Sequence, residues 1–368
     1  MLANNGPDDR FRGDRGADPR FGRPPAPVPT GAPAGPGGPA GGPGLPGPAG
    51  PGGARPLRGR GGKPGGAGGP GEGRPRPAGG PGPRGRRPGG KPSGPKEPAV
   101  PVRRTLSIAI GGFALLLAFG LVVGSQATQI GFTVVIFGAQ IFFVLAWTVA
   151  SRPPSPMVVA GIGALTAAAS CVAVNWPVEA SLTPLGYVIA GAFVAAVVGQ
   201  LALRGGRAGV TESLGASMIV VIGVAALAVF AVLSRQPLGD QVLFVGLAAV
   251  GIGLAVSRFC DVIAPSPRIS NQVPRGSTGV IAGAMAGTAA AAIAGTLVDG
   301  MTTFQGALTG MVAVLVAVVV DLGTGYAEAG RHLEGDAPFM WLARHMQGPL
   351  GAFAFAAPAC YVVGVILR

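Results

Sequence analysis

From about residue 105 onward the chain alternates long apolar runs with short polar interruptions. A helix crossing the hydrocarbon layer needs about 20 mostly apolar residues. Nine runs meet that length: 105–124, 128–150, 157–175, 184–203, 213–233, 239–257, 278–298, 305–325 and 350–367. Helix breakers fall between them at Pro153-Pro154, Pro177, Pro184, Gly205-Gly206 and Pro237. Several runs are rich in Gly and Ala, as from Ala284 to Ala294, and small residues let helix backbones approach closely in lipid. The pattern predicts an all-α, polytopic membrane helix bundle of about nine transmembrane helices over 103–368. Residues 1–102 show neither helical nor strand periodicity and are expected to form a long disordered N-terminal tail.

Composition sharpens that division. The whole chain is 48% hydrophobic and 12% charged, but the average joins two different polymers. Residues 1–104 hold 18 of the 28 Lys and Arg and six of the 15 acids, so they carry +12 of the formal +13. They also hold 31 of the 66 Gly and 25 of the 37 Pro. Such a chain buries too little apolar surface to offset the entropy of ordering it. A collagen helix is excluded, because the glycine period around Gly44, Gly47, Gly50 and Gly53 slips beyond it. Met1–Arg20 contains no apolar stretch, so the first hydrophobic helix is expected to drive insertion. Cys171, Cys260 and Cys360 show no zinc or disulfide spacing and read as packing residues.

Three readings of the tail stay open beside that of a solvated tether. Lys91, Lys96, Arg103 and Arg104 adjoin the first helix and suit anionic phospholipids. The Pro-rich stretches suit a protein partner. Arg-Gly clusters such as Arg58–Gly62 resemble RNA-binding segments, but Phe11 and Phe21 are the only tail aromatics, so nucleic acid is not an expected partner.

Orientation follows from the basic residues of alternate loops. With the tail inside, the inner loops carry Arg152, Arg204, Arg207, Arg258, Arg268, Arg275, Arg331 and Arg344, and the outer segments carry Arg235 and Arg368. The expectation is a multi-pass protein of the plasma (cytoplasmic) membrane, N-terminus cytoplasmic and C-terminus outside. Two inner segments, 258–277 and 326–349, are long and polar and hold the candidate site residues. They include Asp261, Arg268, Ser270 and Arg275 in one, and Glu328, Arg331, His332, Asp336, Arg344 and His345 in the other. Asp321 directly follows Val318-Val319-Val320, and an acid at the inner end of a membrane helix needs a partner, water or a function.

These segments resemble the phosphatidate cytidylyltransferase family, membrane enzymes that make CDP-diacylglycerol from CTP and phosphatidic acid. Pro267-Arg268-Ile269-Ser270 stands where that family has Pro-Arg-Ile-Ser before a Gly-rich helix, which here opens Gly279-Val280-Ile281-Ala282-Gly283. Asp321-Leu322-Gly323, Glu328 and Arg331 follow the family's later pattern, and Phe355-Ala356-Ala357-Pro358 matches the start of its last helix. The resemblance spans roughly 235–368. It implies metal-assisted nucleotidyl transfer, with Asp321 as a metal ligand and Arg268, Ser270, Arg275, Glu328 and Arg331 near the ligand.

The departures weigh against that activity. Alignment on Phe355–Pro358 sets Gly348 and Gly351 at the family's two metal-holding Asp positions and Pro349 at its Arg. Asn271-Gln272-Val273 replace its paired lysines, and Asp261 matches only loosely. Phosphoryl chemistry depends on metal and basic groups that neutralise phosphate charge. The expectation is therefore a noncatalytic relative without a cofactor, binding a lipid head group or a partner on its cytoplasmic face. An active or altered cytidylyltransferase using Mg²⁺ is the alternative. A transporter or flippase is the third reading; transport needs polar groups or broken helices near mid-bilayer, and the mid-helix polar residues are few, Gln140, Ser170, Gln200, Ser217 and Thr288, each reading first as an interhelical hydrogen-bonding residue.

Overall fold

The computed structural model describes residues 104–368 apart from 177–178, 203–208, 271–272 and 336–339, and leaves aside the side chains of 332, 333 and 341. The tail, with its lipid and partner expectations, lies outside the described residues, as do Arg204, Arg207 and Asp336.

Nine helices make up the described chain: α1 (Arg104–Ser125), α2 (Gln129–Ser151), α3 (Pro156–Asn175), α4 (Thr183–Ala202), α5 (Val210–Leu233), α6 (Gly239–Ile263), α7 (Ser277–Leu297), α8 (Thr303–Leu333) and α9 (Trp341–Ile366). All nine are long and apolar enough to cross a membrane. Large side chains such as Leu116 and Phe119 on α1, Phe193 on α4 and Met285 on α7 point outward, exposed. So much outward apolar surface would be costly in water and is at home in lipid tails. The chain is a polytopic, all-helical membrane protein.

The helices sort into two groups joined by α9. One is built on α6, which packs against α1, α7 and α8; the other on α5, which packs against α2, α3 and α4. The last helix touches α8, α5, α2 and α6, and so closes the bundle across both. Successive helices run back and forth, so the end of α6, the start of α7, the end of α8 and the start of α9 meet at one end of the bundle, here called the arginine end.

Two boundaries differ from those expected. The polar segment 326–349 is mostly helical, because α8 continues to Leu333 and α9 already begins at Trp341. At 31 residues, α8 is about 46 Å long, well beyond a hydrocarbon layer about 30 Å thick. Hydropathy marks where lipid ends, whereas helical hydrogen bonding continues through good helix formers such as Ala327, Glu328 and Ala329. Likewise α6 runs on through Arg258 to Ile263. Pro349 and Pro358 both lie inside α9; packed neighbours let membrane helices tolerate the lost backbone bond.

The contact between α6 and α7 is the closest feature of the fold that bears on the site. A Cβ on Gly283 would lie 2.5 Å from the Gly253 carbonyl oxygen and 2.7 Å from Ser257 Cβ. One turn along, a Cβ on Gly287 would lie 2.6 Å from the Ala249 oxygen. Residues 249, 253, 257 and 261 share one face of α6, so this backbone-to-backbone seam leads straight to Ser257 and then Asp261.

Candidate functional site

At the arginine end the seam terminates in carboxylates. Asp261 is buried, and its Oδ1 accepts the backbone N–H of Gly276 at 2.9 Å. Gly276 directly precedes the first turn of α7, where unpaired N–H groups and the helix dipole favour a negative charge. Gly279 permits the approach, since a Cβ there would stand 2.6 Å from the same oxygen.

The segment between α6 and α7 folds back beneath Asp261. Arg268 and Gly276 form an isolated antiparallel bridge, Ile269 N donates to the Arg275 carbonyl at 3.2 Å, and Ser277 N donates to the Pro267 carbonyl at 2.9 Å. These bonds hold Arg275 facing inward, 3% exposed. Its Nη2 donates to Ser257 Oγ at 2.9 Å and lies 2.9 Å from Asp321 Oδ2, and its Nη1 lies 3.3 Å from Asp261 Oδ2. From α6, Arg258 Nη2 donates to Asp321 Oδ1 at 2.5 Å.

Four charged side chains from α6, α8 and the turn before α7 thus form one chain of contacts, Arg258–Asp321–Arg275–Asp261, with no net charge. Burial pulls the Arg275 guanidinium below its ordinary value, as does the charge of Arg258, and the two aspartates oppose both. A guanidinium nevertheless stays charged at any accessible pH. Removing two acids and two bases from water is expensive, and only the mutual contacts offset it. Breaking one member would therefore strand the others.

Gly348 completes the enclosure from α9. A Cβ at that position would run into Asp321 Oδ1, and would lie 3.2 Å from Thr324 Oγ1 and 3.5 Å from Arg258 Nη2.

Of the residues singled out from the sequence, the structure brings together Arg275, Asp321 and Asp261. Arg268 and Ser270 are half-buried in the turn before α7 and make contacts of their own, as does Arg331 farther along α8. Glu328 lies seven residues beyond Asp321, about 10 Å along the helix, and its Oε2 sits 3.7 Å from His345 Nδ1 of α9. Asp321 and Glu328 are thus not paired as two ligands of one ion. Both oxygens of Asp321 face guanidinium groups. Among the described residues no group of three or more His, Cys, Asp or Glu could hold a metal ion.

Two participants carry no signal in the apolar pattern. The apolar run ends at residue 257, so the pattern sets Arg258 in a basic loop rather than on α6. Ser257 reads as an ordinary small residue, although the spacing of Gly253, Ser257 and Asp261 along one face is visible once the helix is extended. Arg344, already among the polar residues of 326–349 that the sequence singles out, lies within α9. It is 3% exposed, one turn before Gly348 on α9, and its Nε, Nη1 and Nη2 all lack a hydrogen-bond partner among the described residues.

The mid-bundle polar residues mostly bind one another or their own helix. Gln140 Nε2 donates to Ser170 Oγ at 3.0 Å and to the Val224 carbonyl at 2.9 Å, which joins α2, α3 and α5. Ser217 and Thr288 donate to the carbonyls of Ser213 and Ala284, four residues back. Gln200 Oε1 accepts from Ser155 Oγ at 2.7 Å. These are the interhelical and intrahelical bonds expected of polar groups in lipid. The sequence matches no protein-family model and no curated protein.

Proposed function

We propose that the protein is a noncatalytic membrane relative of the phosphatidate cytidylyltransferases, with its arginine end in the cytoplasm and an anionic phospholipid head group held there. The observation that carries the reading is the environment of Asp321. By the resemblance, Gly348 occupies the position of a metal-holding Asp. That position lies directly against Asp321, so an acid there would make a carboxylate pair suited to a divalent cation. This chain has no side chain at 348, and the Arg258 guanidinium supplies the positive charge instead.

An arginine neutralises a carboxylate but cannot polarise a phosphoryl oxygen as a Lewis acid or exchange ligands during a reaction. The altered site is therefore structural in its charge pattern. What remains useful is the positive balance of the inner segments taken together, eight arginines (Arg152, Arg204, Arg207, Arg258, Arg268, Arg275, Arg331 and Arg344) against six acids (Glu212, Asp261, Asp321, Glu328, Glu334 and Asp336), beside the basic tail. Attraction to the anionic inner leaflet follows from that balance.

Purification in a phosphate-free maltoside detergent, followed by extraction and identification of retained lipid, tests the reading. Anionic phospholipid should be enriched over zwitterionic lipid relative to the source membrane. Retention in the membrane's own proportions would contradict it.

A further inference from the structure

We propose that Arg344 anchors a buried site for a singly charged phosphate oxyanion, either the phosphodiester of an anionic phospholipid or free phosphate presenting the same oxygens. The inference rests on the head-group reading above, and gives it a residue and a charge.

The argument starts from a mismatch. Among the described residues, Asp261 and Asp321 are the buried acids of this end, and Arg258 and Arg275 already balance them. Arg344 is a further buried guanidinium, and none of its three nitrogens has a hydrogen-bond partner among the described residues. An uncompensated buried charge is among the most expensive features a protein can carry. Such a group is retained where something outside the chain completes it.

Position and shape narrow that partner. Arg344 is the fourth residue of α9, about 4.5 Å along the axis from Trp341, so it sits where the helix enters the membrane. Neighbouring His345 reaches Glu328, which sets the start of α9 against the outer part of α8. The 25-residue span Leu342–Ile366 is longer than the hydrocarbon layer needs, so its first turn can reach the depth of the lipid phosphates. A guanidinium presents a planar fork of donors that fits two oxygens of one phosphate. One unmatched positive charge calls for one negative charge, which a phosphodiester carries.

The test uses the full chain in phosphate-free maltoside detergent, stripped of lipid. Phosphatidylglycerol and inorganic phosphate are titrated separately, with bound lipid counted by native mass spectrometry and unfolding followed by thermal melting. Wild type should take up one phosphatidylglycerol saturably and melt at a higher temperature when it is bound. Arg344→Gln should weaken that binding at least tenfold and lose the thermal shift, and Arg344→Lys should fall between the two. Without ligand, R344Q should melt no lower than wild type, because it removes a charge that no described residue pairs.

A shift with phosphate as well as lipid would support the site with a soluble source open to it, and a shift with lipid alone would support a head-group source. Equal binding by R344Q and wild type would overturn the inference while leaving the head-group reading to other arginines. A wild type unmoved by either probe would overturn both. A ligand-free R344Q that melts far below wild type would show that Arg344 has a partner within the chain, which also overturns the inference.

Discussion

Gly348 on α9 abuts Asp321 on α8 so closely that any side chain at 348 would collide with the Asp321 carboxylate. The relationship is specific, because the next atoms a Cβ would meet are Thr324 Oγ1 and Arg258 Nη2, the groups surrounding that carboxylate. Gly348→Asp would place a second carboxylate beside Asp321 and compete for Arg258. The variant should melt at a lower temperature than wild type in a metal chelator and regain part of the loss in millimolar Mg²⁺. Wild type should show no such Mg²⁺ response, since both Asp321 oxygens face arginines.

The buried ion chain makes a second prediction. Asp321→Asn removes the carboxylate that contacts both Arg258 and Arg275, and should cost about 3–5 kcal/mol. Ser257→Ala removes one hydrogen bond to Arg275 and should cost about 1–2 kcal/mol. Replacing Arg258 and Asp321 together by apolar residues should cost less than the sum of the single changes, because neither leaves the other stranded. Unfolding of purified variants in detergent measures all three.

The glycine seam gives a third. Gly283→Val drives a branched side chain into the Gly253 carbonyl and Ser257, backbone and short side chain that cannot swing away. Overpacking of this kind costs about 1–3 kcal/mol or more. Gly112→Ala on α1 is the control: a Cβ there meets nothing within 4 Å, and the change should be neutral or stabilising by up to about 1 kcal/mol.

Much of this was legible before the structure. All nine helices follow from the apolar runs, because lipid demands length and hydrophobicity that soluble segments rarely combine. Asp321 stood out for the same reason, as an acid where lipid disfavours one. What the sequence did not convey is pairing. Arg258 and Asp321 lie 63 residues apart, and no one-dimensional pattern links them. The ends of α6, α8 and α9 were misjudged because hydropathy falls at the lipid boundary while the helix continues, and that error moved Arg258 and Arg344 from helices into loops.

Orientation yields a fourth prediction. If the arginine end faces the cytoplasm, nine crossings put Arg368 outside. Alkaline phosphatase fused after Arg368 should be active, and a green fluorescent protein at the same place should be dark. The reverse pair would turn the molecule over and remove the leaflet argument for lipid binding.

If arginine has taken the place of metal beside Asp321, as proposed, no nucleotidyl transfer remains. Purified protein, reconstituted with phosphatidic acid and supplied with CTP and Mg²⁺, measures it directly through the CDP-diacylglycerol formed. The account predicts no product above that from empty vesicles. Robust turnover that Asp321→Asn abolishes would contradict it.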